Sequence, residues 1–250
     1  MKILVRVIDN LLGLIKGCLL RLGILQYFGS MVFTFQMVKL RLMMQMGVRG
    51  VSARVIEYPF ALNCIDRLSE RKRRLVILDI GCCDSFFPHA LVKRGYDVYC
   101  VDIRQCTHLH KSIKFYKADV MRLPFPNGFF DVITAISVLE HIGFGAYGDP
   151  ICEDGDMRAI SELKRVLKDK GRLIITLPFA KYQMNTWFRF YDIDRLNRLI
   201  NGFEILQKKY YVRINGYKWI ETTEEKAKEI EPSPKGVTDA IVCLELSKLS

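Results

Sequence analysis

Short apolar runs in this sequence end in residues that could bind a ligand. The run at 75–80 leads into a turn of small residues, 81–85, and then into a helical stretch. Such a turn lets a ligand lie against the backbone and the helix N-terminus. The next run, 96–101, ends at Asp102, whose carboxylate can accept hydrogen bonds from both hydroxyls of a ribose. The alternatives for Asp102 are a solvent-exposed acid at a strand end or a helix cap.

A third apolar run, 130–136, is followed by His141, the candidate general base. An imidazole can accept a hydroxyl proton near neutral pH. The alternative is that His141 only caps or packs beneath the ligand. Four acids in the next loop could bind a cation or a substrate hydroxyl: Asp149, Glu153, Asp154 and Asp156. We expect Asp154 or Asp156 instead to cap the helix that begins near 157.

These residues need a fold that brings strand ends together. Strands are predicted at the apolar runs 75–80, 96–101, 113–118, 130–136 and 172–177, and helices at about 85–94 and 156–168. Alternation of this kind predicts a parallel sheet with helices on both faces. Residues 203–214 and 237–247 predict an antiparallel pair at one edge. The expected fold is α/β and Rossmann-like, with seven mostly parallel strands, an antiparallel edge strand and a helical N-terminal extension.

Four sequence blocks are similar, in content and order, to those of class I S-adenosylmethionine-dependent methyltransferases. They are LDIGCCDS, VYCVDIR, ADVMRLPFPNGFFDVITAISVLEHI and LKRVLKDKGRLIITLPF, and the resemblance spans about residues 75–180. Its most specific part is 123–131, which resembles the segment joining the third and fourth strands of small-molecule methyltransferases. The block EHIGFGAYGDP, with Glu57-Tyr58-Pro59 upstream, also resembles a subgroup associated with surface-polysaccharide pathways.

The resemblance implies S-adenosylmethionine as the cofactor and assigns residues around it. Asp79 and Gly81 would shape the cofactor turn, Asp119 with Val120 would contact the adenine, and Ser137 would lie near the methionine moiety. The candidate cofactor-binding residues are Asp79, Gly81, Cys83, Ser85, Asp102, Ile103, Asp119, Val120 and Ser137. Where the family usually has Gly-x-Gly-x-Gly, this chain has Gly81, Cys83 and Ser85, and each added Cβ crowds the cofactor and limits φ > 0.

The expected reaction is methyl transfer to a small-molecule or glycan acceptor, most simply at oxygen. The alternative is a methyltransferase-like protein that binds the cofactor without catalysis. A nicotinamide oxidoreductase would carry Gly-x-Gly-x-x-Gly after the first strand, which this chain lacks. Glu140-His141 resembles part of a metal site in quinone-type O-methyltransferases, but those carry an acid where this chain has Ser137. We therefore expect no metal, and no nucleic-acid partner.

The distribution of charge and the spacing of the cysteines predict the domain organisation, the partners and the cellular setting. The chain has 250 residues and a net charge of +11, and residues 1–54 hold eight Lys/Arg against the single acid Asp9. We expect 1–60 to be a basic amphipathic helical extension and 61–250 to be the cofactor-binding domain. The extension suits a peripheral contact with an anionic membrane or a second subunit, with a lid over the active site as the alternative. The eight cysteines lack zinc-ligand spacing and favour a reduced, cytoplasmic setting.

Overall fold

The structure of the protein is a computed structural model that describes residues 51–69, 74–232 and 239–249. The contacts within the chain divide it into two units. One comprises 50–106 and 111–250, and the other comprises 1–49 with 107–110. The predicted extension therefore lies almost wholly outside the described residues. In the described part, no helix is long and apolar enough to cross a membrane.

Strands and helices alternate through the first half of the larger unit. In chain order they are α1 (Arg54–Ser69), β1 (Val76–Ile80), α2 (Phe87–Lys93), β2 (Asp97–Asp102), β3 (Lys114–Lys117), β4 (Phe130–Ile136), α3 (Gly155–Val166) and β5 (Leu167–Pro178). The second half continues with β6 (Gln183–Met184), β7 (Arg189–Phe190), α4 (Ile193–Leu199), β8 (Phe203–Ile214), β9 (Lys218–Thr222), α5 (Glu224–Lys228) and β10 (Ala240–Lys248). Single 3₁₀ turns follow β1 and β4, at Cys82–Asp84 and Leu139–His141.

The described strands form an eight-stranded sheet in the order β3-β2-β1-β4-β5-β10-β8-β9, and β6 pairs separately with β7. Strands β3, β2, β1, β4 and β5 run parallel, whereas β10 is antiparallel to both β5 and β8. The expected α/β fold is confirmed. The sheet differs in detail from the expectation: it has one strand more, and β10 lies inside the sheet, between β5 and β8.

The core lies where the central strands face the helices. Leu78, Ile133 and Leu173, from neighbouring parallel strands, are fully buried together with Leu163 of α3. Parallel strands covered on both faces need apolar residues at nearly every position, and β4 shows this with six of seven residues buried. Because these strands run parallel, their carboxyl ends meet at a single edge of the sheet, and this positions the candidate site.

Helix α1 joins the sheet and crosses the boundary expected between residues 60 and 61. It packs against β4, β5 and β10 and buries Phe60, Ala61, Cys64 and Ile65. The contacts divide the chain near residues 49 and 50. The sequence signal for α1 is weak because Pro59 lies inside the helix.

The acids before α3 differ from the expected helix cap. Asp154 occupies the N-cap position, but its side chain makes no capping hydrogen bond and pairs with Arg158 instead. Asp156 is fully buried and contacts the guanidinium groups of Arg189 and Arg195, while the hydroxyl of Tyr191 also donates to it. The expectation of a side-chain cap was wrong, because three distant basic and phenolic groups converge on Asp156.

Candidate functional site

A cavity of about 280 Å³ opens at the edge where β1, β2 and β4 end. Open α/β sheets bind ligands in the crevice outside the carboxyl ends of their strands, at the point where strand order reverses. Here the order reverses between β1 and β4. Seven of the predicted site residues line the cavity: Gly81, Asp102, Ile103, Asp119, Val120, Ser137 and His141.

Gly81 is the residue of the cofactor turn whose backbone requires glycine. Its φ is +75°, and a Cβ added there would lie 2.6 Å from Cγ2 of Val138. Ser85 has an extended backbone with φ of −117°, and Cys83 is not among the described residues with positive φ. The two replacements of the family glycines therefore impose no left-handed strain on the turn.

Asp79, Cys83 and Ser85 support the turn but are not among the residues lining the cavity. The Asp79 carboxylate is buried and accepts a hydrogen bond of 2.6 Å from the Thr134 hydroxyl. Ser85 accepts from the backbone N–H of Phe87 at the start of α2 and contacts the hydroxyl of Tyr58. The geometry makes these residues a scaffold beneath the cavity wall.

Asp102 presents the carboxylate expected to bind a ribose, and four donors now occupy it. The backbone N–H groups of Cys83 and Arg104 donate to its two oxygens at 3.0 and 2.9 Å. The side chain of Arg104 donates twice more, at 3.1 and 3.2 Å. A carboxylate has about four acceptor positions. Any pair of ligand hydroxyls on Asp102 must therefore replace the side chain of Arg104, while the backbone donors can stay.

The next part of the wall combines apolar and acidic groups. Ile103 and Val120 line the cavity and could bracket a flat ring, and Val120 is 5% exposed. Asp119 also lines the cavity, and its Oδ1 accepts a hydrogen bond of 2.9 Å from the backbone N–H of Met121. One oxygen of Asp119 therefore organises the loop after β3, and the other is available to a ligand amine.

Ser137, at the end of β4, is held in a strained conformation by a buried network. Its φ is +49°, a left-handed value that is uncommon for a residue with a Cβ. Its hydroxyl donates to Oε1 of Glu57 at 2.5 Å, and Thr176 donates to the same oxygen at 2.7 Å. Glu57 is fully buried and pairs with Arg54 at 2.7 Å. Strain of this kind persists at functional sites only where the surroundings over-determine it.

His141 has the geometry of a base facing the cavity. Its Nδ1 lies 3.1 Å from the backbone carbonyl oxygen of Trp187. A carbonyl only accepts, so Nδ1 must carry the proton, which leaves the lone pair on Nε2. Nε2 is 3.9 Å from the carboxylate of Glu140, which is beyond hydrogen-bond distance. Burial lowers the pKa of His141 and keeps the ring neutral.

Burial affects the acids beneath the site in the opposite sense. It raises the pKa of Glu140 to about 8 and the pKa of Asp79 to about 7, because a desolvated carboxylate is disfavoured. Oε2 of Glu140 has no hydrogen-bond partner among the described residues. Acids with such perturbed pKa values cluster at functional sites, although ion-pair networks also produce them.

The segment that forms most of this cavity is similar to a known protein family. Residues 78–175 match the family described as a methyltransferase domain. Residues 78–175, less than half of the chain, are therefore similar to methyltransferase domains. The match supports the expected methyltransferase class and S-adenosylmethionine as the expected cofactor.

The sequence relatives of the methyltransferase domain match only part of this chain. An uncharacterised protein of Methanocaldococcus jannaschii is 31% identical over 112 residues, 43% of each chain. The ubiquinone/menaquinone biosynthesis C-methyltransferase UbiE of Stutzerimonas stutzeri is 37% identical over 81 residues, 32% of this chain and 27% of its own. The chain thus spans less than half the length of these relatives.

Solved structures share the fold at low identity. The 1,6-didemethyltoxoflavin-N1-methyltransferase of Burkholderia thailandensis, solved with its namesake ligand and S-adenosylhomocysteine, has a TM-score of 0.54 at 14% identity, covering 78% of this chain and 80% of its own. The N-methyltransferase NodS of Bradyrhizobium japonicum, solved with S-adenosylhomocysteine, has a TM-score of 0.50 at 13% identity, covering 79% and 91%. Similarity at this level establishes the fold of the methyltransferase domain.

Several lining residues were not among the predicted ones. Arg54 comes from α1, Trp187 from the β6–β7 hairpin, and Tyr147 from the loop after His141. The rings of Trp187 and Tyr147 lie 4.7 and 5.7 Å from the ring of His141. Two sequence signals lay near them: the upstream Glu57-Tyr58-Pro59 near Arg54, and the block EHIGFGAYGDP, which contains Tyr147. Asp149, a candidate for binding a cation or hydroxyl, lines the cavity and also accepts from the backbone N–H groups of Gly143 and Gly145.

Proposed function

We propose that this chain transfers a methyl group from S-adenosylmethionine to a small-molecule acceptor in the cavity beside Asp102. The carrying observation is the convergence of the predicted cofactor residues on one cavity at the strand-order reversal. The donor set fits the cofactor: a strand-end carboxylate suits ribose hydroxyls, and Ile103 and Val120 suit a flat adenine. The bound cofactor would supply a methyl group on a sulfonium.

The chain's own residues would position and activate the acceptor. Nε2 of His141 would take the acceptor proton, because the ring lines the cavity, Nδ1 is held by the Trp187 carbonyl, and burial lowers the pKa of His141. Trp187 and Tyr147 pack around that ring and would hold the acceptor against it while limiting water. Holding the reacting groups in line contributes a large part of the rate in such displacements.

A base that removes a hydroxyl proton is compatible with two acceptors. The oxygen itself would be methylated in a hydroxyl acceptor such as a glycan, as the sequence suggests. The name of the UbiE relative adds methylation at carbon in quinone biosynthesis as the second candidate. In a ring hydroxyl, loss of the proton also activates the adjacent ring carbon, so the same position of His141 serves both. The glycan acceptor, the membrane contact, the oligomer and the cytoplasmic location stay predictions.

The cofactor proposal is tested by isothermal titration of the full-length chain with S-adenosylmethionine. We expect Asp102→Asn to weaken binding by about tenfold or more, because a charge-assisted hydrogen bond contributes roughly 1.5–3 kcal/mol. Asp97→Asn is the matched control, since Asp97 begins the same strand and pairs with Lys114 at the surface. The proposal would be contradicted if Asp102→Asn bound S-adenosylmethionine as tightly as the wild type. It would also be contradicted if the wild type showed no binding at millimolar S-adenosylmethionine.

The acceptor is then sought by measuring S-adenosylhomocysteine formation with three acceptor classes. These are hydroxylated quinols, small amines and hydroxyls of sugar nucleotides or lipid-linked sugars. Mass spectrometry of the product distinguishes methylation at oxygen, nitrogen and carbon. A chain that binds the cofactor but forms no product with any class would support the non-catalytic alternative.

A further inference from the structure

Three cysteine sulfurs lie together beside the cofactor turn. Cys83 and Cys106 form a disulfide, with Cα atoms 5.1 Å apart, a separation that a disulfide spans without moving the backbone. The sulfur of Cys82 lies 3.6 Å from that of Cys106. The reduced setting that the cysteine spacing favours predicts free thiols, as at the buried Cys100 and Cys243, and the Cys83–Cys106 pair differs from that expectation. Adjacent parallel strands explain the difference, because the turns after β1 and β2 emerge side by side.

The disulfide joins the two segments that carry the cofactor residues. One segment is the turn with Gly81, and the other follows Asp102. The backbone N–H groups of Cys83 and Arg104, one from each segment, donate to the Asp102 carboxylate. The bond therefore holds both donors on the group proposed to bind the ribose.

The bond also leaves the cavity open. Gly81, Asp102 and Arg104 line the cavity, whereas Cys82, Cys83 and Cys106 are not among its lining residues. A bridge behind the wall can fix the wall without obstructing a ligand. With the disulfide closed, the cavity wall is braced and the cavity stays accessible to a ligand.

We propose that Cys83 and Cys106 are a reversible thiol–disulfide site that controls cofactor affinity. This inference rests on the proposed function. Oxidation would remove two electrons and two protons from the thiols and deliver them to a small-molecule disulfide, which becomes two thiols. Both cysteines are half-buried, so a small thiol or disulfide can reach them. Disulfides of intracellular proteins are commonly catalytic or redox-sensing ones.

Cys82 provides a route for exchange within the cluster. Its buried thiol is in contact with the sulfur of Cys106, so as a thiolate it can attack that sulfur and release Cys83. The product is a Cys82–Cys106 disulfide and a Cys83 thiolate, which takes up the proton that Cys82 lost. Exchange therefore moves the bond to Cys82 without reducing it. Reduction then needs two electrons from an external thiol, which can attack the half-buried Cys106 sulfur and is itself oxidised to a disulfide.

The test is titration of the full-length chain with S-adenosylhomocysteine after oxidation by oxidised glutathione and after reduction by dithiothreitol. We expect the affinity for S-adenosylhomocysteine to fall by about fivefold or more on reduction. Without the bond, the two segments that carry Cys83 and Cys106 are no longer tied together, and the ligand must order them when it binds. Alkylation and peptide mass spectrometry should show Cys83 linked to Cys106 only in the oxidised chain. Circular dichroism checks that both forms remain folded.

Serine variants separate this bond from other thiols. Cys106→Ser should bind like the reduced wild type under both conditions, and Cys83→Ser serves as the second variant that removes the same bond. Cys243→Ser is the matched control, since Cys243 is a buried free thiol in β10, and it should retain the full redox response.

Each contrary outcome has one meaning. Equal affinity in both redox states would overturn the redox inference and leave the cofactor proposal intact. Absence of binding in both states would instead contradict the proposed function. If the reduced chain retains stoichiometric zinc that Cys106→Ser loses, the sulfurs and Asp102, all within 4.8 Å of one another, are a metal site, and the redox inference is wrong.

Discussion

Removing the Glu57 carboxylate tests whether α1 is part of the catalytic domain. Glu57 is fully buried and accepts hydrogen bonds from Ser137, Thr176 and Arg54. We expect Glu57→Ala to destabilise the fold, because two hydroxyls lose their acceptor and Arg54 loses its counter-ion.

The magnitude follows from the exposure of the partners. Breaking a fully buried pair by removing one ion costs roughly 3–5 kcal/mol. The Arg54 side chain is 33% exposed, so water can solvate part of its charge and the lower end applies. We expect a loss of about 3 kcal/mol, with Glu57→Gln losing about half because its amide keeps one acceptor oxygen. For a domain of this size that corresponds to a fall in Tm of about 6–12 °C.

Urea unfolding followed by circular dichroism measures the loss, with Glu204→Ala on the exposed face of β8 as the control within about 0.5 kcal/mol of wild type. A double-mutant cycle with Ser137→Ala should show a coupling energy of about 1 kcal/mol between the two side chains. A loss below about 1 kcal/mol for Glu57→Ala would refute the reasoning. It would mean that α1 only covers the sheet and that other contacts hold Ser137.

Two further predictions concern titration. With an acceptor that turns over, His141→Ala should lower kcat by about 10²-fold or more at unchanged cofactor affinity. It should also abolish the acid limb of the pH profile of kcat/KM, which in the wild type lies below the ordinary histidine pKa of about 6.5 because burial lowers the pKa of His141. An acid limb that survives the substitution would exclude His141 as the base. Burial raises the pKa of Asp79 to about 7 from 3.8, so the fold retains a proton that the unfolded chain loses, and wild-type stability falls as pH rises through that window. The free energy of unfolding of Asp79→Asn should therefore rise relative to that of the wild type as the pH increases from about 4 to 7. Urea unfolding at several pH values measures this difference between the two proteins, and a difference that does not change with pH would contradict the prediction.

The parallel half of the fold was predictable because a strand buried on both faces appears in the sequence as a continuous apolar run. The run FDVITAI at 130–136 coincides with β4, and the ends of β1 and β2 gave Gly81 and Asp102. Short edge elements leave little trace. Strand β9 and helix α5 lie between the two predicted end strands and were not predicted, because a surface strand of five residues such as β9 has few apolar positions.

Long-range pairings were beyond the reach of sequence patterns. The Glu57–Ser137 hydrogen bond joins residues eighty positions apart, and Cys83 meets Cys106 only because two strands are neighbours. Trp187 gave no signal, since its role depends on a hairpin of two-residue strands beside His141. Rules based on sequence spacing detect groups of residues that lie within one turn or loop. The groups described above join residues from several separate strands, helices and loops, so these rules do not find them.

The division of the site between matched and unmatched segments bears on the acceptor. The family match, 78–175, contains the predicted cofactor residues and His141, whereas Arg54, Glu57 and Trp187 lie outside it. Function resides in the site rather than in the fold, and here the outer side of the cavity is built by segments that the family match does not include. The names of relatives therefore bear on the chemistry at the methyl group more than on the identity of the acceptor. Residues of α1 and of the β6–β7 hairpin are where substitutions should change acceptor choice without changing cofactor affinity.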